Sequence, residues 1–211
     1  MMSMNENQKI DIILNDIDEI FAFIHDLIKG SELDLEDEYK RINYTYHKMF
    51  CCHLESLFIL TVNKHFSSAI LLMRTMLELF VKSFYFEFIE KEKGSSVEAF
   101  LNGEKDFPSF FVMTKALEEY SHESYGGFKE SFTQFAKSGL ASYEKFSLFS
   151  HGRGEVLRGF YQYQEISYTT EQVSDLLLTA KGLLEHLSLL LFFTQKRINE
   201  TGALLTKMKQ T

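Results

Sequence analysis

The chain has 211 residues, 45% hydrophobic and 25% charged, with a single proline and 11 glycines. That is an ordinary globular composition, which predicts one domain built from long helices with no Pro-, Ser- or Gly-rich linker between parts. The net charge of -8 is concentrated: residues 1–40 carry eleven acidic side chains against Lys9, Lys29 and Lys40, and residues 41–211 carry nineteen of each sign. An acidic protein is a poor nonspecific binder of nucleic acid, so an RNA or nucleotide ligand would need a local basic cleft.

In chain order, residues 6–29 place Ile10, Ile13, Leu14, Ile17, Ile20, Phe21, Ile24, Leu27 and Ile28 on one stripe with Asp and Glu opposite, and Gly30 supplies a stop. This predicts an acidic first helix with one buried face. A second helix is predicted over 35–64, with a seam of Leu35, Tyr39, Ile42, Tyr46, Met49, His53, Leu57 and Leu60, and His53 is expected as a hydrogen-bonded core residue. A third runs from 66 to 92, ends near Gly94, and is apolar almost all round, as suits a helix with several neighbours. Residues 69–89 have the length of a membrane span, but Arg74, Glu78, Lys82 and Glu87 make a core helix the better reading, with no membrane partner.

Between 95 and 138 the signals shorten. Ser95 with Glu98 has the spacing of a capping box, Pro108 suits a first helical turn, and Gly126 with Gly127 marks a break. Short helical pieces are predicted over 128–137 and 140–150, and 152–167 is the least regular segment. Thr169 with Gln172 opens the last long helix, with its seam at Val173, Leu176, Leu177, Ala180, Leu183, Leu184, Leu187 and Leu190, and 202–211 is left as a short tail. The fold class expected is all-α: a bundle of four long helices with additional short ones.

Two constellations could carry function. Arg74, Glu78 and Lys82 recur every four residues, about 40° apart around the helix axis, as a polar stripe on an apolar rod. Either they form an internal ion-pair ladder, or Arg74 and Glu78 line a cleft between helices; Arg preceding Glu is the less favourable order for helix stability alone. In YEKFSLFSHGRGEVLRGF, residues 143–160, helical spacing brings Lys145, Ser147 and His151 near one face, followed by Arg153 and Arg158. The bland reading is a helix end with a solvated basic loop. The sharper one is a proton-transferring His151 with Lys145, Arg153 or Arg158 on a phosphate.

His47 and Cys51 lie one turn apart, but a structural zinc site needs more convergent ligands than the sequence offers, so neither metal nor cofactor is expected. Cys51 and Cys52 are adjacent and cannot form the usual bridge, and the N-terminus lacks the pattern of a signal peptide, so the expected location is cytoplasmic.

The stretches AILLMRTMLELFVKSFYF and YEKFSLFSHG together resemble the HEPN-like superfamily of small prokaryotic helical bundles, over roughly residues 55–192. Arg74 and Glu78 match its R-x3-E pair, and His151 matches its helix-end histidine. The resemblance implies a homodimer and a setting in bacterial defence or a toxin–antitoxin pair. It implies either a non-catalytic interaction or ligand-sensing module, or a metal-independent endoribonuclease with His151 as acid or base. In the ribonuclease motif an arginine and a polar residue precede the histidine; here Lys145 and Phe146 stand in that frame, and lysine lacks the bidentate fork.

Overall fold

The stripe of Ile13, Ile17, Ile20 and Ile24 is fully or nearly fully buried along α1, Glu6–Lys29, while Asp11, Asp18 and Glu19 face outward. This is the amphipathic helix that the spacing predicts. The structure is a computed structural model that describes residues 6–123, 126–132, 134–135, 155–164 and 166–210.

α2, Glu38–Val62, starts where Asp37 accepts hydrogen bonds from the backbone N–H groups of Tyr39 and Lys40. It stops at Lys64, whose φ of 60° turns the chain and lets His65 N–H donate to Leu60 O at 2.8 Å. The three-residue connection folds α3, Phe66–Tyr85, back along α2. Without a break, α3 runs into a wider π-helical turn, Phe86–Glu90, in which Lys91 N–H reaches back to Phe86 O. That turn buries Phe86, Glu87, Phe88 and Glu90 together, and Gly94, at φ 67°, ends it.

Short helices follow at α4, Val97–Leu101, and α5, Phe110–Glu119, then a two-residue antiparallel ladder of β1, Ser121–His122, with β2, Gly126–Gly127. α6, Glu155–Tyr163, precedes α7, Thr170–Thr194, which opens on the reciprocal Thr169–Gln172 capping box. α7 touches α1, α2 and α3, and also α8, Ile198–Met208, so its whole predicted seam is buried. It is long and apolar enough to cross a membrane, and 67% of its apolar window is buried inside this fold.

The molecule is mostly helical among the described residues, and α1, α2, α3 and α7 are its four long helices. Several boundaries differ from the sequence expectation. The buried stripe of α2 is Ile42, Asn43, His47, Phe50, Leu54, Leu57 and Thr61, while Met49 is 45% exposed and His53 only half-buried. The stripe is rotated because α3 and α7 both cover α2, and polar Asn43 and His47 find partners inside. Ser96, not Ser95, caps α4, through Ala99 N–H, because the Ser95 hydroxyl is engaged by Glu90. Pro108 precedes the Ser109 cap of α5 instead of lying in its first turn. The segment read as least regular contains α6, and the supposed tail from 202 is the second half of α8, held against α7 and α1.

Candidate functional site

The polar groups along α3 fall into three tiers. At the first, Arg74 Nε lies 3.4 Å from Glu78 Oε1, with side chains 23% and 30% exposed, so the pair forms at the edge of the core and not deep within it. Lys82, one turn on, is half-buried with its ammonium 5.4 Å from the centre of the Phe107 ring, a cation–π contact. The stripe is therefore brought together on one helix edge. Arg158 is exposed on α6. Lys145, Ser147, His151 and Arg153 lie outside the described residues.

The second tier is buried. Ser83 donates to Asn43 Oδ1 at 2.8 Å, Asn43 Nδ2 donates to Glu87 Oε2 at 2.9 Å, and Lys91 Nζ donates to Glu87 Oε1 at 2.6 Å. Burial pushes the Glu87 carboxyl above its usual range, against the hydrogen bonds from Lys91 and Asn43 that favour its charged form. Glu87 also walls a cleft of about 370 Å³ with Phe88, Lys91, Tyr120, Thr194 and Lys196, between the π-helical turn and the end of α7.

At the third, Glu90 accepts from Lys93 at 2.9 Å, from Ser95 Oγ at 2.6 Å and from Lys105. Burial works to raise its pKa, but hydrogen bonds from Lys105, Ser95 and Lys93 outweigh it and hold the carboxyl down to about 2. Tyr39 of α2 donates to Ser95 O at 2.7 Å, so this cluster fastens the end of α3 to the start of α2.

A separate pair occupies the α2–α7 contact. His47 Nε2 lies 2.9 Å from Ser188 Oγ, and Cys51 Sγ lies 3.7 Å from His47 Nδ1. Burial lowers the imidazole to about 4 and raises the thiol to about 12. At neutral pH both are uncharged, the opposite of the thiolate and imidazolium that a cysteine nucleophile uses. Among the described residues no group of three or more His, Cys, Asp or Glu side chains converges as metal ligands would.

The sequence singles out Arg74 and Glu78 and offers His47 only beside Cys51 as a metal ligand, while Asn43, Ser83, Glu90 and Ser188 carry no such signal of their own. What marks the two serines is only their place inside apolar helical runs, Ser83 in LFVKSFYF and Ser188 in EHLSLLLFF. Most buried polar side chains have a hydrogen-bond partner, and Ser83 and Ser188 find theirs in Asn43 and His47. No protein-family model, curated protein or solved structure matches the chain.

Proposed function

We propose that this protein is a non-catalytic, HEPN-like binding module that works as a homodimer in the cytoplasm, in a defence or toxin–antitoxin setting. The observation that carries the reading is the outward display of apolar side chains on its helices. On α6, Leu157, Phe160, Tyr161 and Tyr163 are 61%, 51%, 87% and 73% exposed, and on α2 Ile59 and Val62 are also exposed. Scattered apolar exposure is ordinary, but four such side chains on one nine-residue helix form a face that a partner would cover. The interior supports the same reading: His47, Glu87 and Glu90 are each engaged by groups of their own chain.

The alternative is a metal-independent endoribonuclease in which His151 transfers a proton while Lys145 or Arg153 holds phosphate and Arg158 and Ser147 assist binding. Lys145 and Phe146 in place of the ribonuclease pattern weigh against it. Multi-angle light scattering tests the dimer: twice the 24.7 kDa chain mass is expected at micromolar concentration. A wild-type protein that is only monomeric there sinks this part of the reading.

A further inference from the structure

A cavity of about 390 Å³ lies between α3, α7 and the segment after β2. Phe80 and Phe84 of α3 pack directly on Phe128, Phe132 and Phe135, ring centres 5.5–6.0 Å apart, so the five form one continuous wall of it, with Gly182 and His186 of α7 on the other. The rings hold one another edge to face: Phe84 with Phe128 at 81° and 5.8 Å, Phe80 with Phe135 at 70° and 5.7 Å, and Phe128 with Phe132 at 89° and 5.5 Å. Glu118 of α5 accepts hydrogen bonds from the backbone N–H groups of Glu130 and Phe132, which pins the outer wall in place.

Gly182 is the telling residue. It sits in the interior of a 25-residue helix, where glycine is the least favourable choice after proline. Its φ is not positive, and an added Cβ would meet nothing within 4 Å. Neither backbone conformation nor crowding calls for glycine there. What the missing side chain does is leave the cavity wall open. One turn on, His186 Nδ1 lies 2.7 Å from Gly182 O, so in the neutral ring Nδ1 carries the proton and Nε2 is left as an acceptor at the exposed rim.

We infer that this cavity binds a small aromatic molecule bearing one N–H or O–H donor, with its ring laid against the phenylalanine wall over Gly182 and its donor on His186 Nε2. The volume is at the lower end of the ~300–1,000 Å³ typical of small-molecule sites, and a mainly aromatic lining with a few polar groups, here His186, Thr179, Ser131 and Gln134, is their usual composition. The inference gives the binding-module reading a ligand class, yet its test is separate: a monomer that binds the probe would sink the dimer and leave the cavity standing.

The probe is N-phenyl-1-naphthylamine, an apolar aromatic amine with one N–H, followed by its fluorescence on titration. Wild type should show a saturable rise at one molecule per chain. Gly182→Leu, and independently Thr179→Leu from the neighbouring turn of the wall, should weaken binding at least about tenfold by filling the volume. Gly182→Ala should raise Tm by about 2–4 °C, since the glycine serves no folding purpose. His186→Ala should weaken binding about fivefold or more with Tm unchanged, because the side chain is exposed. No saturable binding by wild type overturns the inference. So does full binding by both folded leucine variants, or a loss of dimer in them with probe binding retained.

Discussion

Glu90→Gln removes the charge that gathers Lys93, Ser95 and Lys105 at the end of α3. The carboxyl is 3% exposed, and its pKa is held down to about 2 from an ordinary 4.5. At about 1.36 kcal/mol per pH unit that difference sets an upper bound near ~3 kcal/mol. Lys93 and Lys105 are 55% and 42% exposed, so solvent screening trims the contribution to roughly 2 kcal/mol. The sign follows from linkage: a carboxyl with a lowered folded-state pKa adds stability above pH ~4.5, lost as pH falls toward ~2. At pH 7 Glu90→Gln should lower Tm by about 4–8 °C, at about 2–4 °C per kcal/mol for a chain of this size. Thermal unfolding followed by circular dichroism between pH 7 and pH 2 should also show a shallower acid slope in the variant. An unchanged Tm at pH 7 together with an unchanged acid slope would refute the argument that this cluster fastens α3 to α2.

His47, lowered to about 4 from 6.5, binds its proton more readily in the unfolded chain, so stability should fall as pH drops from ~6.5 to ~4, by roughly 2–4 kcal/mol. In His47→Leu that part of the pH profile should flatten, while Ser188 keeps its bond to Leu184 O; a profile identical to wild type would contradict the buried neutral imidazole. For the Arg74–Glu78 pair, partial exposure places each single alanine variant between exposed and buried pairs, at about 1–2 kcal/mol. The double variant should cost no more than the worse single one, as chemical denaturation can measure; additive losses would mean that the two side chains act independently.

The long helices were legible because each has an apolar period and an end signal. Ile13 to Ile24 define α1, and Thr169 with Gln172 opens α7 where it begins. α2 misled the periodic reading because Asn43 and His47 face inward, toward Ser83 and Ser188 on helices distant in sequence. Periodicity ranks residues by polarity, whereas Asn43 and His47 are buried with partners that other helices supply. α6 escaped notice because it is only nine residues long, holds Gly159 in its interior and follows Gly152 and Gly154, so too few periods and too many breakers mark it. The Arg74–Glu78 pair was visible as spacing, but its place at the core edge depends on how neighbouring helices pack. The aromatic cavity was out of reach for the same reason, since Phe80 and Phe132 meet only once α3 and the segment after β2 are folded together.

The central claim is binding without chemistry, and RNA cleavage tests it most directly. Labelled single-stranded and structured RNA would be incubated with the wild-type protein and with His151→Ala in EDTA, and products resolved on a denaturing gel. The account predicts intact RNA with both proteins, with both folded by circular dichroism. EDTA-resistant cleavage by wild type that His151→Ala abolishes, with its fold retained, would contradict it and establish the ribonuclease instead.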